Sequence, residues 1–149
     1  GAGKLGWQYQ QFINLWSTNS NVFDGSVRNS PKTIYDPSPA GFKVPDAHAF
    51  IGFTFTGATW NYGYTFKADG GKEIYFQAGG ARTADGSLNY NGTFGVYWAN
   101  SASYEDTGTQ IGYGHRMLIG HNKISSPITD IKGFGSYGFA YAVRPVKIN

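Results

Sequence analysis

Lys32-Thr-Ile-Tyr-Asp-Pro-Ser-Pro-Ala-Gly-Phe-Lys-Val-Pro45 is the stretch on which the reading of the fold turns. Three prolines and one glycine fall within these fourteen residues. Each proline fixes φ and removes a backbone donor, so neither a helix nor an interior strand runs through. The segment reads as a rigid, irregular entry into the fold. Its counterpart at the far end is Tyr137-Gly-Phe-Ala-Tyr-Ala-Val-Arg-Pro-Val-Lys147. There Phe139, Tyr141 and Val143 alternate with Ala140, Ala142 and Arg144, the period-two pattern of a strand.

With Gly95-Val-Tyr-Trp-Ala-Asn100 between them, these segments resemble the signatures of C-type lectin-like domains in surface proteins of Bacteroidetes. That family is related to the Fibrobacter succinogenes major paralogous domain, and its members often cap fimbrillin-like pilus proteins. Its opening reads Lys-Thr-Ile-Tyr-Asp-Pro-Cys-Pro-Pro-Gly-Tyr-Arg-Val-Pro, its core strand Gly-Tyr-Tyr-Trp-Ser, and its close Val-Arg-Pro-Val-Lys or Val-Arg-Cys-Val-Lys. The likeness spans about residues 28–149. Ser38 stands where many relatives carry cysteine and Pro145 where the partner cysteine occurs, so both halves of that disulfide are missing together. The resemblance implies a C-type lectin-like scaffold that holds loops out toward a partner. It also implies a place outside a Gram-negative bacterium, on the outer membrane surface or a fimbrium.

A length of 149 residues suits one domain able to bury a core without staples. The absence of cysteine excludes disulfides, thiolate metal sites and thiol nucleophiles. A net charge of +3 is small, and the lysines and arginines are scattered, so the concentrated basic stripe of a nucleic-acid binder is missing. No apolar run approaches the roughly 18 residues of a membrane span, so no direct membrane insertion by this segment is expected. Gly1-Ala-Gly-Lys-Leu-Gly6 reads as a processed end, a linker or an expression remnant.

Residues 1–16 read as a linker or docking arm, with Phe12, Leu15 and Trp16 on one helical stripe, and 17–149 as a single domain. Residues 17–31 are Ser/Asn/Gly-rich loop. Val44 to Phe53 is the best helix candidate, with Asp46 as its N-cap and Ala47, Phe50 and Ile51 on one face. Beyond residue 54 the pattern is β. Tyr62, Tyr64 and Phe66 alternate with small or polar residues; Asp69-Gly70 turns; Ile74 and Phe76 return, making a hairpin. Asp85-Gly86 and Asn91-Gly92 mark further turns. Val96-Tyr97-Trp98 is a short strand with Trp98 buried. Residues 99–113 read as a long loop, Arg116–Ile119 as a strand, His121-Asn122 as a turn and Lys123–Ser126 as its return. Gly133, Gly135 and Gly138 break the approach to the last strand. The fold class is α+β, with one or two short helices, small antiparallel sheets and long loops.

Chemistry is sparse. Asp24, Asp69 and Asp85 precede glycine and are explained by turns, and Asp36 before Pro37 by an Asx-type turn. Glu105-Asp106 alone has no structural duty, and adjacent side chains on an extended loop diverge, against a catalytic dyad. His48, His115 and His121 lack zinc-ligand spacing. No nucleophile elbow or phosphate loop occurs. Formylglycine-generating enzymes share the resembled fold, but their chemistry uses cysteine. The calcium triplets of animal C-type lectins are missing, Trp60-Asn61-Tyr62 lacking the carboxylate, and a hard cation needs more oxygens than Glu105 and Asp106 supply. The expectation is no catalysis, no metal and no cofactor.

Aromatic residues make up 17% of the chain, more than one core needs, so some are expected at the surface as rigid contact area. By the resemblance, the loop after the central tryptophan faces the partner. Its residues Asn100, Tyr104, Glu105, Asp106, Gln110, Tyr113 and His115, joined by Trp60, are the expected ligand contacts. The leading reading is a non-enzymatic binding module, the distal domain of an adhesin, taking an extracellular glycan or protein without calcium. The alternative is a filament assembly or capping domain whose partners are pilin subunits, docked through the aromatic arm. A degraded hydrolase, resting on Glu105-Asp106 and the histidines, is the third.

Overall fold

The computed structural model describes residues 16–17, 30–50, 52–104, 112–121, 123–125, 134–136 and 139–148. Its strands are β1 (Phe42–Lys43), β2 (Thr59–Trp60), β3 (Gly63–Lys67), β4 (Glu73–Gln77), β5 (Ala81–Arg82), β6 (Leu88–Asn89), β7 (Phe94–Tyr104), β8 (Gly112–Gly120), β9 (Lys123–Ser125), β10 (Phe134–Ser136) and β11 (Val146–Lys147). Antiparallel ladders join β2-β3-β4, β10-β8-β7 with β9 also on β8, β5-β6, and β1-β11.

The proline-rich entry is organised by two side chains. Asp36 Oδ1 accepts from Ser38 N at 2.8 Å, an Asx turn, and Oδ2 accepts from Val44 N at 2.9 Å. Lys32 Nζ donates to the carbonyls of Ser38 (2.5 Å), Pro39 (3.1 Å) and Phe42 (2.8 Å), and lies 3.9 Å from Asp36 Oδ1. A carboxylate and an ammonium thus satisfy backbone groups that the prolines leave without ladder partners. The turn delivers the chain into β1, which pairs with β11 in the register Phe42↔Lys147 and Lys43↔Val146.

β7 and β8 form the spine. Their register sets Val96 against Leu118, Tyr97 against Met117 and Trp98 against Arg116. Alternation then gives each face its own partners. Tyr97, Ala99, Met117 and Ile119 face the core, with Tyr64 and Phe66 of β3, Phe76 of β4, Ala47 and Phe50. Phe53 fills the interior, its ring edge-on to Phe66 and Phe76 at 4.8 and 5.1 Å. The other face carries Val96, Trp98, Arg116 and Leu118 and is covered by the closing segment. That segment bridges Ala140 to Arg82 and Ala142 to Tyr97. Its expected alternation holds: Phe139, Tyr141 and Val143 are half-buried and Ala140, Ala142 and Arg144 exposed.

The α+β expectation is overturned. Among the described residues, helical geometry is confined to one 3-10 turn at Ala47–Phe50, while Asp69–Gly71 is a tight turn with Gly70 at φ +76, so the fold is mainly β. The Val44–Phe53 candidate supplies one such turn only. Gly52 and the Thr/Phe-rich run behind it leave no room for further turns. Asp46, expected as a side-chain cap, instead binds Ser30 N, Lys43 Nζ and Asn100 Nδ2. The 3-10 turn still buries Ala47 and Phe50.

Candidate functional site

The expected 99–113 loop is shorter than its composition suggested. β7 continues to Tyr104 and β8 begins at Gly112, with a bulge between Trp98 and Ala102. Small residues drive this: Ala99 and Ser101, each 1% exposed, let the strand lie close beneath the 3-10 turn. Two expected ligand contacts are therefore interior. Asn100 is 4% exposed and donates to Asp46 Oδ1 at 2.8 Å. His115 is 1% exposed on β8 opposite Phe134, inside the sheet, because Phe134–Ser136 adds strand β10 beside it. Tyr104 and Tyr113 stand in β7 and β8, with Ser103 paired to Tyr113 and Tyr104 to Gly112. Glu105, Asp106 and Gln110 lie outside the described residues.

Trp60 is half-buried on β2 and does meet a surface. With Phe55, Ala58 and Tyr64 it lines an open hollow of about 480 Å³. Its ring stands edge-on to Tyr64 at 4.9 Å and to the turn residue His121 at 5.7 Å.

A second, more enclosed groove, about 460 Å³, lies on the outer face of the spine. Phe94, Val96, Arg116 and Leu118 form its floor, Phe139 and Tyr141 one wall, and Ala81, Thr83 and Tyr90 the other. The Phe139 and Tyr141 rings are nearly parallel, 10° apart with centroids at 6.0 Å, as two same-face residues of an extended chain present them. Trp98 backs Tyr141 at 4.4 Å, and Trp16 stands edge-on behind Trp98 at 6.0 Å. Arg116 Cζ sits 6.0 Å from the Tyr141 ring centroid, within cation–π range. Burial pushes the Tyr141 phenol above the usual tyrosine pKa, while the Arg116 charge pulls against it.

Tyr90 closes the mouth. It holds φ +64, a region uncommon for any residue but glycine, and is 60% exposed. The Asn91-Gly92 turn holds it there: Thr93 N and Phe94 N donate to Tyr90 O, and Gly92 N to Ala78 O. Its ring meets Phe94 edge-on at 5.6 Å. Ligand sites are typically concave, largely apolar and dressed with few polar groups; here Thr83, Arg116 and the tyrosine hydroxyls supply them. The sequence reading placed Phe139 and Tyr141 in a strand without linking them to a site. The missed signal was Tyr-Asn-Gly-Thr-Phe94, an aromatic on each side of a tight turn.

Three of the described carboxylates have structural partners. Asp36 serves the entry turn and Asp46 binds Lys43 at 2.9 Å. Asp85 accepts from Thr83 Oγ1 at 2.6 Å and Ser87 N at 3.0 Å in its turn, and these bonds, Thr83 first, hold its pKa below the usual carboxylate value. No group of three His, Cys, Asp or Glu side chains suited to a metal occurs among the described residues. Comparison with protein-family models, curated proteins and solved structures finds no match for this chain.

Proposed function

We propose that this chain is a non-enzymatic binding module that holds an extracellular glycan or protein ligand in the Tyr90–Phe94–Tyr141 groove without calcium. The carrying observation is the groove itself: aromatic walls, an arginine in the floor, and a tyrosine held at positive φ over the mouth. Backbone outliers of this kind gather at ligand sites. The likeness of the opening and closing segments to C-type lectin-like domains of Bacteroidetes surface proteins supports the same reading, as the distal domain of a surface or fimbrial adhesin. The test is a glycan array and a surface-protein pull-down with the purified chain. Tyr90→Ala, which removes an exposed ring, should weaken the captured ligand about tenfold or more; Trp60→Ala should leave it unchanged. Equal binding by Tyr90→Ala and the parent chain rejects the groove.

A second reading, a filament assembly or capping domain, draws on Ile34 and Tyr35, which the entry turn leaves 90% and 66% exposed. Ile34→Ser should then block assembly with pilin subunits and leave the groove ligand bound.

A further inference from the structure

Away from the groove, Lys43 and Asp46, neighbours in the entry segment, meet Asn100 of the central strand at one largely buried point. Lys43 in β1 places Nζ 2.9 Å from Asp46 Oδ2. Asn100 in β7 places Nδ2 2.8 Å from Asp46 Oδ1. One carboxylate thus holds an amine on one oxygen and a carboxamide on the other. Asp46 is 8% exposed, Asn100 4%, and the Lys43 side chain 12%. The backbones run together here, since Asn100 N donates to Pro45 O at 2.8 Å. Val44, Ala47 and Ala99 alongside are buried, while Lys43 and Asp46 also border an open hollow of about 430 Å³ shared with Ser30 and Val146. A fourth group completes the set: Ser101 Oγ, 1% exposed, donates to Asn100 Oδ1 at 3.2 Å.

We propose that Lys43 Nζ and Asn100 Cγ become joined by an amide after the chain folds, with Asp46 carrying the protons and Ser101 holding the developing oxyanion. The residue types have matching roles. A lysine amine is a nucleophile once it gives up its proton, and a bonded carboxylate is the group that takes it. Donors aimed at an oxygen where charge develops lower the barrier most in a dry site. Folding supplies the proximity that two unlinked side chains in water lack.

The step balances without a co-reactant. A proton passes from Lys43 Nζ to Asp46 Oδ2. The Nζ lone pair attacks Asn100 Cγ, and the carbonyl electrons move to Oδ1, against Ser101 Oγ–H. Asp46 protonates Nδ2 through Oδ1 and recovers a proton from Nζ. The carbonyl re-forms, the Cγ–Nδ2 bond breaks and ammonia leaves. The amide keeps one proton on Nζ, and the excess proton stays on the Asp46 carboxyl. The product ties the entry segment to the central strand covalently, in a chain that has no cysteine for a disulfide.

Intact-mass measurement of the purified, folded chain decides the matter, followed by proteolytic mapping. The expected result is a mass below that of the sequence by one ammonia, and a branched peptide containing both Lys43 and Asn100. Lys43→Arg keeps the cation beside Asp46 but should restore the full sequence mass. Ser101→Ala, which leaves the ion pair intact, should slow the mass loss after refolding at least tenfold. A parent chain at full sequence mass overturns the proposal, as does mass loss that persists in Lys43→Arg. Loss mapping to the exposed Asn91-Gly92 turn, where succinimide formation sheds the same ammonia, overturns it too.

Discussion

Removing the Asp36 carboxylate tests how the proline-rich entry is held. In Asp36→Ala, the amides of Ser38 and Val44 lose acceptors at 2.8 and 2.9 Å, and Val44 is 0% exposed, so water does not replace the second. Hydrogen bonds to a charged group contribute about 1.5–3 kcal/mol each. Lys32 keeps its three carbonyls, so no charge is stranded. The expected loss is about 3–5 kcal/mol, a large part of the roughly 5–15 kcal/mol that stabilises a domain. Urea unfolding followed by tryptophan fluorescence reads it well, because Trp98 is 4% exposed and lies beyond this turn. With a urea slope of about 2 kcal/mol per molar, the midpoint should fall by about 2 M. Asp36→Asn keeps one acceptor oxygen but turns its amide NH2, a donor, toward the other N–H, so its loss should be about half as large. A loss below about 1 kcal/mol in Asp36→Ala refutes the acceptor argument. Equal losses in the two variants refute it differently, by making charge the deciding term.

Two further outcomes follow from local geometry. Gly80 has φ +72, and an added Cβ would strike Asn89 O and lie 2.8 Å from Asn91 N, both backbone atoms, so Gly80→Ala should cost more than about 2 kcal/mol in urea unfolding. Gly86, at φ +85 with open space around it, should cost only about 1 kcal/mol on the same change, and equal costs would reject the contact argument. The phenols of Tyr97 and Tyr141 are raised above the usual value, chiefly by burial. The folded chain thus keeps protons that the unfolded chain releases, so their contribution is complete below pH ~10 and is lost as pH rises through the raised values. Urea midpoints measured on both sides of that pH should fall less steeply in Tyr141→Phe; an unchanged slope would show that burial does not govern this phenol.

What the sequence made legible follows from how local each signal is. The hairpin of β3 and β4 was readable because Tyr64, Phe66 and Phe76 alternate on either side of a glycine turn, all within a few residues. The Asp85-Gly86 and Asn91-Gly92 turns were readable for the same reason. The helix is not legible locally: Asp46 has the position of a cap, yet its partners are Ser30, Lys43 and Asn100, the last of them 54 residues away. Composition alone ends strand β7 too early, because Ala99, Ser101 and Ala102 lack strand character of their own; pairing with β8 supplies it. Of the expected contacts, Trp60 reaches a surface, while Asn100 faces inward against Asp46 and His115 lies between β7 and β10, neither of which is local in sequence. The groove could not be read from composition, since its walls come from residues near 90 and near 140.

The ladder between β1 and β11 has a mechanical consequence. Phe42 faces Lys147, and Ile148 N donates to Gly41 O at 2.9 Å, so the two strands enter and leave side by side at the same end. Tension applied between the chain before Gly41 and the chain after Ile148 would pull across this ladder, peeling its bonds open one after another. Proteins loaded this way yield at lower force than those whose terminal strands are sheared along their length.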